Sequence, residues 1–421
     1  MKTKKFALFV GFFIFCVLSY SGIKLYRKHI KLPYMTVLGF IDMSDGLGRQ
    51  SLELIQALKD DVDVGFKPTR KTNLTDVPDS ITRYLETANK RLGKIVIYED
   101  VLYPISHTYF TKKFKDCPDS QIRFAYTMLE SSKIPKRWAL TLNKHFDAAL
   151  VPDEFLIKVY KDSGVTIPIF VVPLGLNLDD FEAKPLKKKA NIPFTFANFG
   201  TCISRKNHKD LILAFHKAFG DDPKVKLWIN CKYSADNLFE NLQNLVKELG
   251  IGNISLTNKC FSKEEYVDNF DMVDCYVNTT KSEGFSIQPR EAMTLGIPCI
   301  VSDNTAQKTI CRSGLVKSVP TSHTEPAYYE FFADISGDRY VPDFDKTVEA
   351  LLDVYNNYEK YLIKSEKMKI WALQYKYTNL HSQYKTMVKP KKIKLGKENC
   401  IKEGIFTTDS EELYNKFKKI L

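Results

Sequence analysis

Short apolar runs alternate with amphipathic stretches along most of the chain, which is the pattern of βα units in a parallel sheet. The predicted strands of a first series are residues 36–41, 94–98, 122–126, 148–151 and 169–172. Those of a second series are residues 194–199, 225–230, 254–257, 275–278 and 299–301. The pattern therefore predicts an α/β protein with two doubly wound domains.

Changes in composition divide the chain further. The predicted segments are a membrane anchor with basic flanks at 1–31, a first Rossmann-like domain at 32–183, a linker at 184–193, a second Rossmann-like domain at 194–343, a helical segment at 344–388 and a basic tail at 389–421. The helical segment is predicted to be one long closing helix. Trp371 and Tyr375 share one of its faces, and aromatic residues at helical spacing are usually core residues.

The formal net charge of +12 first suggests a protein that binds nucleic acid. The distribution of the charge argues against this class. Residues 1–31 carry seven basic and no acidic residues, and residues 381–421 carry ten lysines and five acidic residues. These two ends account for the whole excess, so the sequence between them is neutral and we predict no nucleic-acid partner.

Residues 6–23 are uncharged, and their number is close to the ~20 apolar residues that span a bilayer. We predict a retained single-pass anchor here, with a cleaved signal peptide as the alternative. Four basic residues after the segment against three before it favour a cytoplasmic catalytic body over a lumenal or periplasmic one. The nine cysteines form no CxxC pair, which predicts a reduced chain without a zinc site or a disulfide framework.

Residues 282–303 carry the most informative motif. Their pattern predicts a strand, a loop, a helix with Pro289 in its first turn, and a turn at Gly296. The amide groups of 285–287 would then lie at a helix start beyond a strand, a place that suits a phosphate. Glu283 and Glu291 could accept hydrogen bonds from sugar hydroxyls. The residues predict a nucleotide-sugar site, with an ordinary turn bearing surface glutamates as the alternative.

This run resembles the E-x7-E donor motif of retaining glycosyltransferases of the GT-B fold, family 4 in particular. The residues that match are Glu283, Gly284, Phe285, Glu291, Ala292, Met293, Gly296 and Pro298. Ser286 replaces a glycine, and Pro289 stands one place later than in the family. The resemblance implies two domains facing across a cleft, with the donor contacted by Glu283, Gly284, Phe285, Ser286, Ile287 and Glu291. Glu283 would hold the transferred sugar and Glu291 the ribose.

The segment from Gly200 to 211 resembles the family's glycine, arginine and lysine motif. The resemblance implies that Lys206 holds the donor diphosphate and stabilises the leaving phosphate, with Gly200 and Thr201 also at the donor. Thr201 occupies the family's arginine position, and Arg205 is the candidate that replaces it. The alternative is that Arg205 and Lys206 only form an ordinary solvent-exposed charged face at the start of a helix.

The first domain supplies the predicted acceptor side. Gly46 and Gly48 resemble the glycine loop through which donor and acceptor approach, and Glu130 lies in a segment similar to bacterial members. His107 is the candidate for the family's catalytic histidine, although a lone histidine is more often structural. Glu99 and Asp100 are further candidates.

The sequence thus predicts a membrane-anchored retaining glycosyltransferase that moves a sugar from a nucleotide-sugar donor to a glycan or lipid-linked acceptor. Its expected partners are that donor, that acceptor and the membrane, through residues 6–23. We predict no cofactor and no catalytic metal, because no D-x-D pair follows a strand. Two alternatives remain. One is a nucleotide-sugar epimerase. The other is a sugar-binding scaffold without catalysis, which the departures from the family pattern would permit: Thr201 for the family's arginine, and Asn177 for the aspartate of its interdomain segment.

Overall fold

The computed structural model describes residues 33–43, 45–86, 91–103, 106–329 and 334–421. Six parallel strands form a first sheet in the order β2-β1-β3-β4-β5-β6. The strands are β1 (Met35–Gly39), β2 (Val64–Pro68), β3 (Ile95–Glu99), β4 (Ile122–Tyr126), β5 (Ala148–Val151) and β6 (Ile169–Val171). The helices are α1 (Gly46–Leu58), α2 (Asp79–Glu86), α3 (Ser106–Lys113), α4 (Lys136–His145), α5 (Phe155–Asp162) and α6 (Asp179–Ala183).

A second parallel sheet has the order β12-β11-β10-β7-β8-β9. Its strands are β7 (Phe194–Cys202), β8 (Val225–Ser234), β9 (Ile254–Thr257), β10 (Cys275–Asn278), β11 (Cys299–Ser302) and β12 (Lys317–Val319). Its helices are α7 (His208–Phe219), α8 (Leu238–Leu249), α9 (Lys263–Asn269), α10 (Ile287–Thr294) and α11 (Gln307–Cys311). This is the strand order of dinucleotide-binding folds: successive strands are added outward from β7 on one side and then, from β10, on the other, and all are parallel. The predicted α/β class with two doubly wound sheets is confirmed.

An antiparallel hairpin that the sequence pattern does not predict joins the two sheets on one side. Its strands are β13 (Thr321–Tyr329) and β14 (Asp334–Pro342). The amide of Ser132 in the first domain donates to the carbonyl of Asp338 at 3.1 Å, and the Tyr329 hydroxyl donates to the carbonyl of Glu130 at 2.9 Å. The hairpin therefore connects the second domain to the loop after β4.

The predicted single closing helix is four helices, because the chain must turn back toward the first domain. They are α12 (Phe344–Asn356), α13 (Tyr358–Leu362), α14 (Ser365–Leu373) and α15 (Tyr377–Val388). Between the last two, Lys376 is extended and pairs with Leu176 in an isolated bridge. The two segments that cross between the domains therefore run side by side.

Residues 389–421 fold onto the first domain, which corrects the prediction of a basic tail. They form a three-stranded sheet and a helix: β15 (Lys392–Leu395), β16 (Cys400–Lys402), β17 (Ile405–Thr408) and α16 (Glu411–Ile420). Phe406 and Phe417 are fully buried, and their rings pack against Phe124, with Phe406 also on Phe170. These aromatic contacts, together with the buried Ile401 and Leu413, hold this lysine-rich segment on the sheet.

The predicted single-pass membrane placement is contradicted by the structure. Within the described ranges, no helix combines the length and the apolar composition that crossing a bilayer requires. Residues 6–23, on which the prediction depended, lie outside the described residues.

One buried carboxyl group makes the stability of the first domain depend on pH. Glu53 lies on the inner face of α1 and is 1% exposed. Its carboxyl oxygens have no hydrogen-bond partner among the described residues. Burial raises the pKa of Glu53 to about 8, and the positive charge of Arg49 offsets this only in part. The folded chain therefore keeps a proton there that the unfolded chain releases.

We predict that Glu53→Gln stabilises the protein increasingly as the pH rises from about 5 to about 8. In this window the unfolded chain has lost the Glu53 proton and the folded chain retains it, so the wild type loses stability with rising pH. The difference in melting temperature between variant and wild type should grow across the window. The exposed Glu240→Gln is the matched control. A difference that stays constant with pH would contradict the prediction.

Candidate active site

A cavity of about 510 Å³ lies between the two domains, at the carboxyl ends of strands from both sheets. It is located where the order of the second sheet reverses, so the loops after β7 and β10 diverge to form a crevice. Most residues that the sequence assigns to the site line this cavity. They are Gly46, Glu130, Gly200, Thr201, Arg205, Lys206, Glu283, Gly284, Phe285, Ser286 and Ile287.

The start of α10 forms one wall of the cavity. Ser286 precedes the helix in the left-handed conformation (φ 69°), and its hydroxyl accepts a hydrogen bond from Asn278 at 2.7 Å. The buried Arg290 donates to the carbonyl of Phe285 and, at 2.9 Å, to that of Ser286. Because Arg290 holds these carbonyls, the amides at the helix start remain the polar groups available to the cavity.

Arg290 itself is held in an aromatic cage. Its guanidinium lies 3.9 Å from the ring centroid of Phe285, 4.4 Å from that of Tyr375 and 5.6 Å from that of Trp371. The last two residues are those predicted to be core residues of the C-terminal helices. They pack behind the loop, and their interaction with the guanidinium helps to compensate for burying its charge.

A buried ion cluster forms the floor of the cavity. Lys206 Nζ lies 2.6 Å from one carboxylate oxygen of Glu283, and Arg205 lies 3.1 Å from the other. Arg205 also pairs with Glu130 of the first domain at 3.2 Å. Burial alone would raise the pKa of Glu283, but Lys206 and Arg205 outweigh it and the pKa is lowered. Glu283 is therefore an ionised acceptor between two cations.

Lys206 is placed by a local change of backbone direction. A 3₁₀ turn (Ser204–Lys206) follows β7, and Asn207 then adopts a left-handed conformation (φ 59°) before α7 begins. Burial lowers the pKa of Lys206, and the charge of Arg205 lowers it further, although Glu283 acts in the opposite direction. The lysine is thus a cation that a new anion in the cavity would stabilise.

Glu291 lies one turn along α10 and is fully buried. One oxygen pairs with Arg49 of the first domain at 2.9 Å, and the other accepts a hydrogen bond from the Tyr266 hydroxyl at 2.7 Å. Burial would lower the pKa of Arg49, but Glu291 outweighs it and the pKa is raised. This carboxylate consequently links the two domains.

Glu291 also borders a second cavity of about 370 Å³ beside the first. Phe199 and Phe261 contribute aromatic surface to it, and Lys232 and Gly200 line both cavities. Together the two cavities extend from α1 of the first domain to the loop after β9. The combined space can hold an elongated ligand whose flat, apolar end lies against the aromatic residues of the second cavity.

Charged side chains line the main cavity. They are the basic Arg49, Arg70, Arg205, Lys206, Lys232 and Arg339 and the acidic Asp45, Glu130, Asp236 and Glu283. Arg49 and Arg70 pair with Glu291 and Asp100, which lie just outside this lining. Lys232 is not among the residues predicted from the sequence, although its place near the end of β8, next to β7, is a usable signal. Arg339 comes from the unpredicted hairpin and has no such signal.

Of the predicted residues, His107 and Gly48 line neither cavity. His107 is an exposed residue of α3 whose Nδ1 lies 3.3 Å from Nε2 of His145, so the prediction that it acts in the cleft is corrected. Its position follows from the packing of α3 on α4. Gly48 lies behind the cavity, where a Cβ atom would come within 2.6 Å of the backbone nitrogen of Asp42. This glycine permits close packing rather than ligand contact.

Glu99 and Asp100 are also buried away from the cavity lining. Asp100 pairs with Arg70 at 3.1 Å and accepts a hydrogen bond from Thr69 at 2.9 Å. Burial raises the pKa of Glu99 well above its usual range, and the charge of Asp100 adds to the effect. Asp100 therefore acts on the cavity through Arg70, which it orients.

The second domain matches a known family. Residues 179–324 match the family described as glycosyl transferases group 1, a range that contains the ion cluster and α10. No curated protein gives a significant sequence match to the chain. The resemblance seen in the sequence motif is therefore confirmed for the domain that carries it.

Several solved structures share the fold over 84% of this chain. HepE from Anabaena, in complex with UDP-glucose, has a TM-score of 0.59, 10% identity and 99% of its chain covered. The sucrose-phosphate synthase of Thermosynechococcus elongatus has a TM-score of 0.60, 13% identity and 98% covered. The trehalose-6-phosphate structure from E. coli with UDP-2-fluoro glucose has a TM-score of 0.61, 10% identity and 98% covered. These likenesses confirm the GT-B fold.

We predict that Arg49→Met lowers the free energy of unfolding by about 2–4 kcal/mol, because it leaves the buried Glu291 carboxylate without its cation. Adding Glu291→Gln to this variant should restore part of the loss, since the uncompensated charge is then removed. Chemical denaturation measures both effects. The control is Lys59→Met, which removes the partner of the mostly exposed Asp60. An Arg49→Met loss no larger than that of the control would contradict the interdomain ion pair.

Proposed function

We propose that this chain, whose residues 179–324 match the glycosyl transferases group 1 family, is a glycosyltransferase. It moves a sugar from a nucleotide-sugar donor, bound by the second domain, to a glycan or lipid-linked acceptor at the first. The observation that carries the proposal is the buried cluster of Lys206, Arg205 and Glu283 beside the amino end of α10. Cations and helix amides at one point are what a sugar diphosphate requires.

The donor diphosphate is proposed to bind between Lys206 and the amides of residues 285–287. Its two negative charges would face Lys206 and Arg205, the two cations of the buried cluster. Before the donor binds, Glu283 forms ion pairs with both cations, Lys206 and Arg205. When the diphosphate arrives, Lys206 can turn to the phosphates, and Glu283 is then free to accept a hydrogen bond from a sugar hydroxyl.

The nucleoside is proposed to occupy the second cavity. Glu291 would accept hydrogen bonds from the ribose hydroxyls, in exchange for part of its contact with Arg49 or Tyr266. The base would lie near Phe261. Uridine diphosphate sugars are the first donors to test, because HepE and the E. coli trehalose-6-phosphate structure contain UDP-sugar ligands.

The transfer is proposed to retain the anomeric configuration and to need no divalent metal. The leaving diphosphate gains charge as the bond from the sugar C1 to the phosphate oxygen breaks, and Lys206 and Arg205 stabilise that charge. Glu130 is already paired with Arg205, so it is poorly suited to act as the base of an inverting reaction. The acceptor hydroxyl then forms the new C1–O bond and gives its proton to the leaving phosphate oxygen.

We predict that Lys206→Ala lowers the turnover of UDP-sugar by more than about 10-fold, since it removes a charged contact to the leaving group. Glu291→Ala should weaken donor binding by a similar factor, seen as a raised KM. Lys209→Ala is the matched control, because Lys209 is an exposed lysine three residues further along. Release of UDP with and without glycan acceptors measures turnover.

The same assay separates the alternatives. Transfer product with a retained anomer by NMR, unchanged by added Mg²⁺ or Mn²⁺, agrees with the proposal. Conversion of the donor sugar without any acceptor would instead identify an epimerase. Binding of the donor without hydrolysis or transfer would identify a non-catalytic scaffold. If both variants turn over like the control, the assigned site is wrong.

A further inference from the structure

Three side chains of types that can bind a metal ion lie close together behind the donor cavity. The thiol sulfurs of Cys202 and Cys231 and one ring nitrogen of His208 all lie within 4.8 Å of one another. All three residues are buried, with exposures of 2%, 0% and 3% respectively. They come from the end of β7, from β8 and from the first residue of α7.

The tautomer of His208 is set by its neighbour. Asn198 donates from its amide nitrogen to the carbonyl of Val277 at 2.7 Å, which directs its own oxygen Oδ1 away from that strand. This Oδ1 lies 2.9 Å from Nε2 of His208, so Nε2 carries the hydrogen. Nδ1 then carries no hydrogen, and its lone pair is the one that the ring can offer to a metal ion. A histidine whose second nitrogen donates to a fixed oxygen is typical of metal ligands.

The two thiols are available as ligands. The ligand form of cysteine is the thiolate. Among the described residues, all cysteines are free, so neither thiol is used in a disulfide.

We propose that Cys202, Cys231 and Nδ1 of His208 bind one thiophilic metal ion, Zn²⁺ or Cu⁺. Two sulfurs and one imidazole nitrogen are a ligand set that these soft cations prefer over Mg²⁺ or Ca²⁺. Binding would release any remaining thiol proton to the solvent. The spacing of the three residues along the chain follows no zinc motif, and the sequence alone therefore predicts no zinc site here. The pairing of β7 with β8 creates the cluster, since Gly200 lies opposite Cys231.

The ion would be a structural metal ion that stabilises the donor site. Each ligand is close in sequence to a residue that lines the cavity: Thr201 beside Cys202, Lys232 beside Cys231, and Lys206 two residues before His208. Metal binding would therefore fix the relative positions of the phosphate-binding segments without touching the donor. This role is independent of whether the donor site catalyses transfer.

The test begins with the full chain purified under reducing conditions. Elemental analysis should find about one equivalent of zinc or copper, and the element found distinguishes the two ions. After removal of the metal by a chelator, Zn²⁺ should bind again with one site, measured by competition with a coloured chelator. Co²⁺ should give the charge-transfer absorption of thiolate ligands. None of these measurements uses glycosyltransferase activity, so a failed activity assay leaves them interpretable.

Cys202→Ser and Cys231→Ser should each weaken Zn²⁺ binding at least 10-fold, whereas Cys117→Ser in the first domain should leave it unchanged. If a variant does not fold, the metal content and the Co²⁺ spectrum of the wild type still decide. Absence of bound metal together with no Zn²⁺ binding by the reduced chain would overturn the proposal. Zn²⁺ binding that is equal in all three variants would also overturn it.

Discussion

The ionised carboxylate of Glu283, buried between Lys206 and Arg205, is the interaction on which the cleft depends. A carboxylate at this depth is stable only when cations compensate for its lost hydration. The two cations follow β7, and Glu283 follows β10. The cluster therefore connects the two loops that flank the point where the strand order of the sheet reverses. Through Glu130, Arg205 extends the same cluster into the first domain.

The domains meet through further contacts that close this cleft on several sides. Arg49 reaches Glu291, and Thr309 donates to Asp153 at 2.7 Å. The C-terminal helix α15 returns to the first domain, where the hydroxyl of Tyr384 donates to the carbonyl of Pro173 at 2.8 Å. The two crossing segments run side by side at Leu176, which forms an isolated bridge with Lys376. A donor that replaces Arg49 at Glu291 would loosen one contact of this closed arrangement.

The parts of the fold with local signals were predictable from the sequence. The helix α10 is one example, since Pro289 lies in its first turn and Gly296 follows its end with a positive φ of 69°. The capping box at the start of α9, where Ser262 and Glu265 bond reciprocally, is another. In both cases neighbouring residues determine the structure, so a single sequence contains the information.

The parts that depend on distant contacts were not predictable. The short strand β2 contains a glycine and a proline, and it is a strand only because β1 pairs with it. The last segment is fixed by Phe406 and Phe417, whose partners lie far away in the first sheet. His107 faces His145 instead of the cleft because helix packing, which the sequence pattern does not report, sets its direction.

A crystal structure of the chain with a bound UDP-sugar analogue that resists transfer tests the central claim most directly. The account predicts that the diphosphate lies within hydrogen-bonding distance of Lys206 and of the amides at 285–287. It also predicts the ribose at Glu291 and the sugar at Glu283. A nucleotide bound away from the cleft, or in the cleft with its phosphates away from Lys206 and α10, would contradict it.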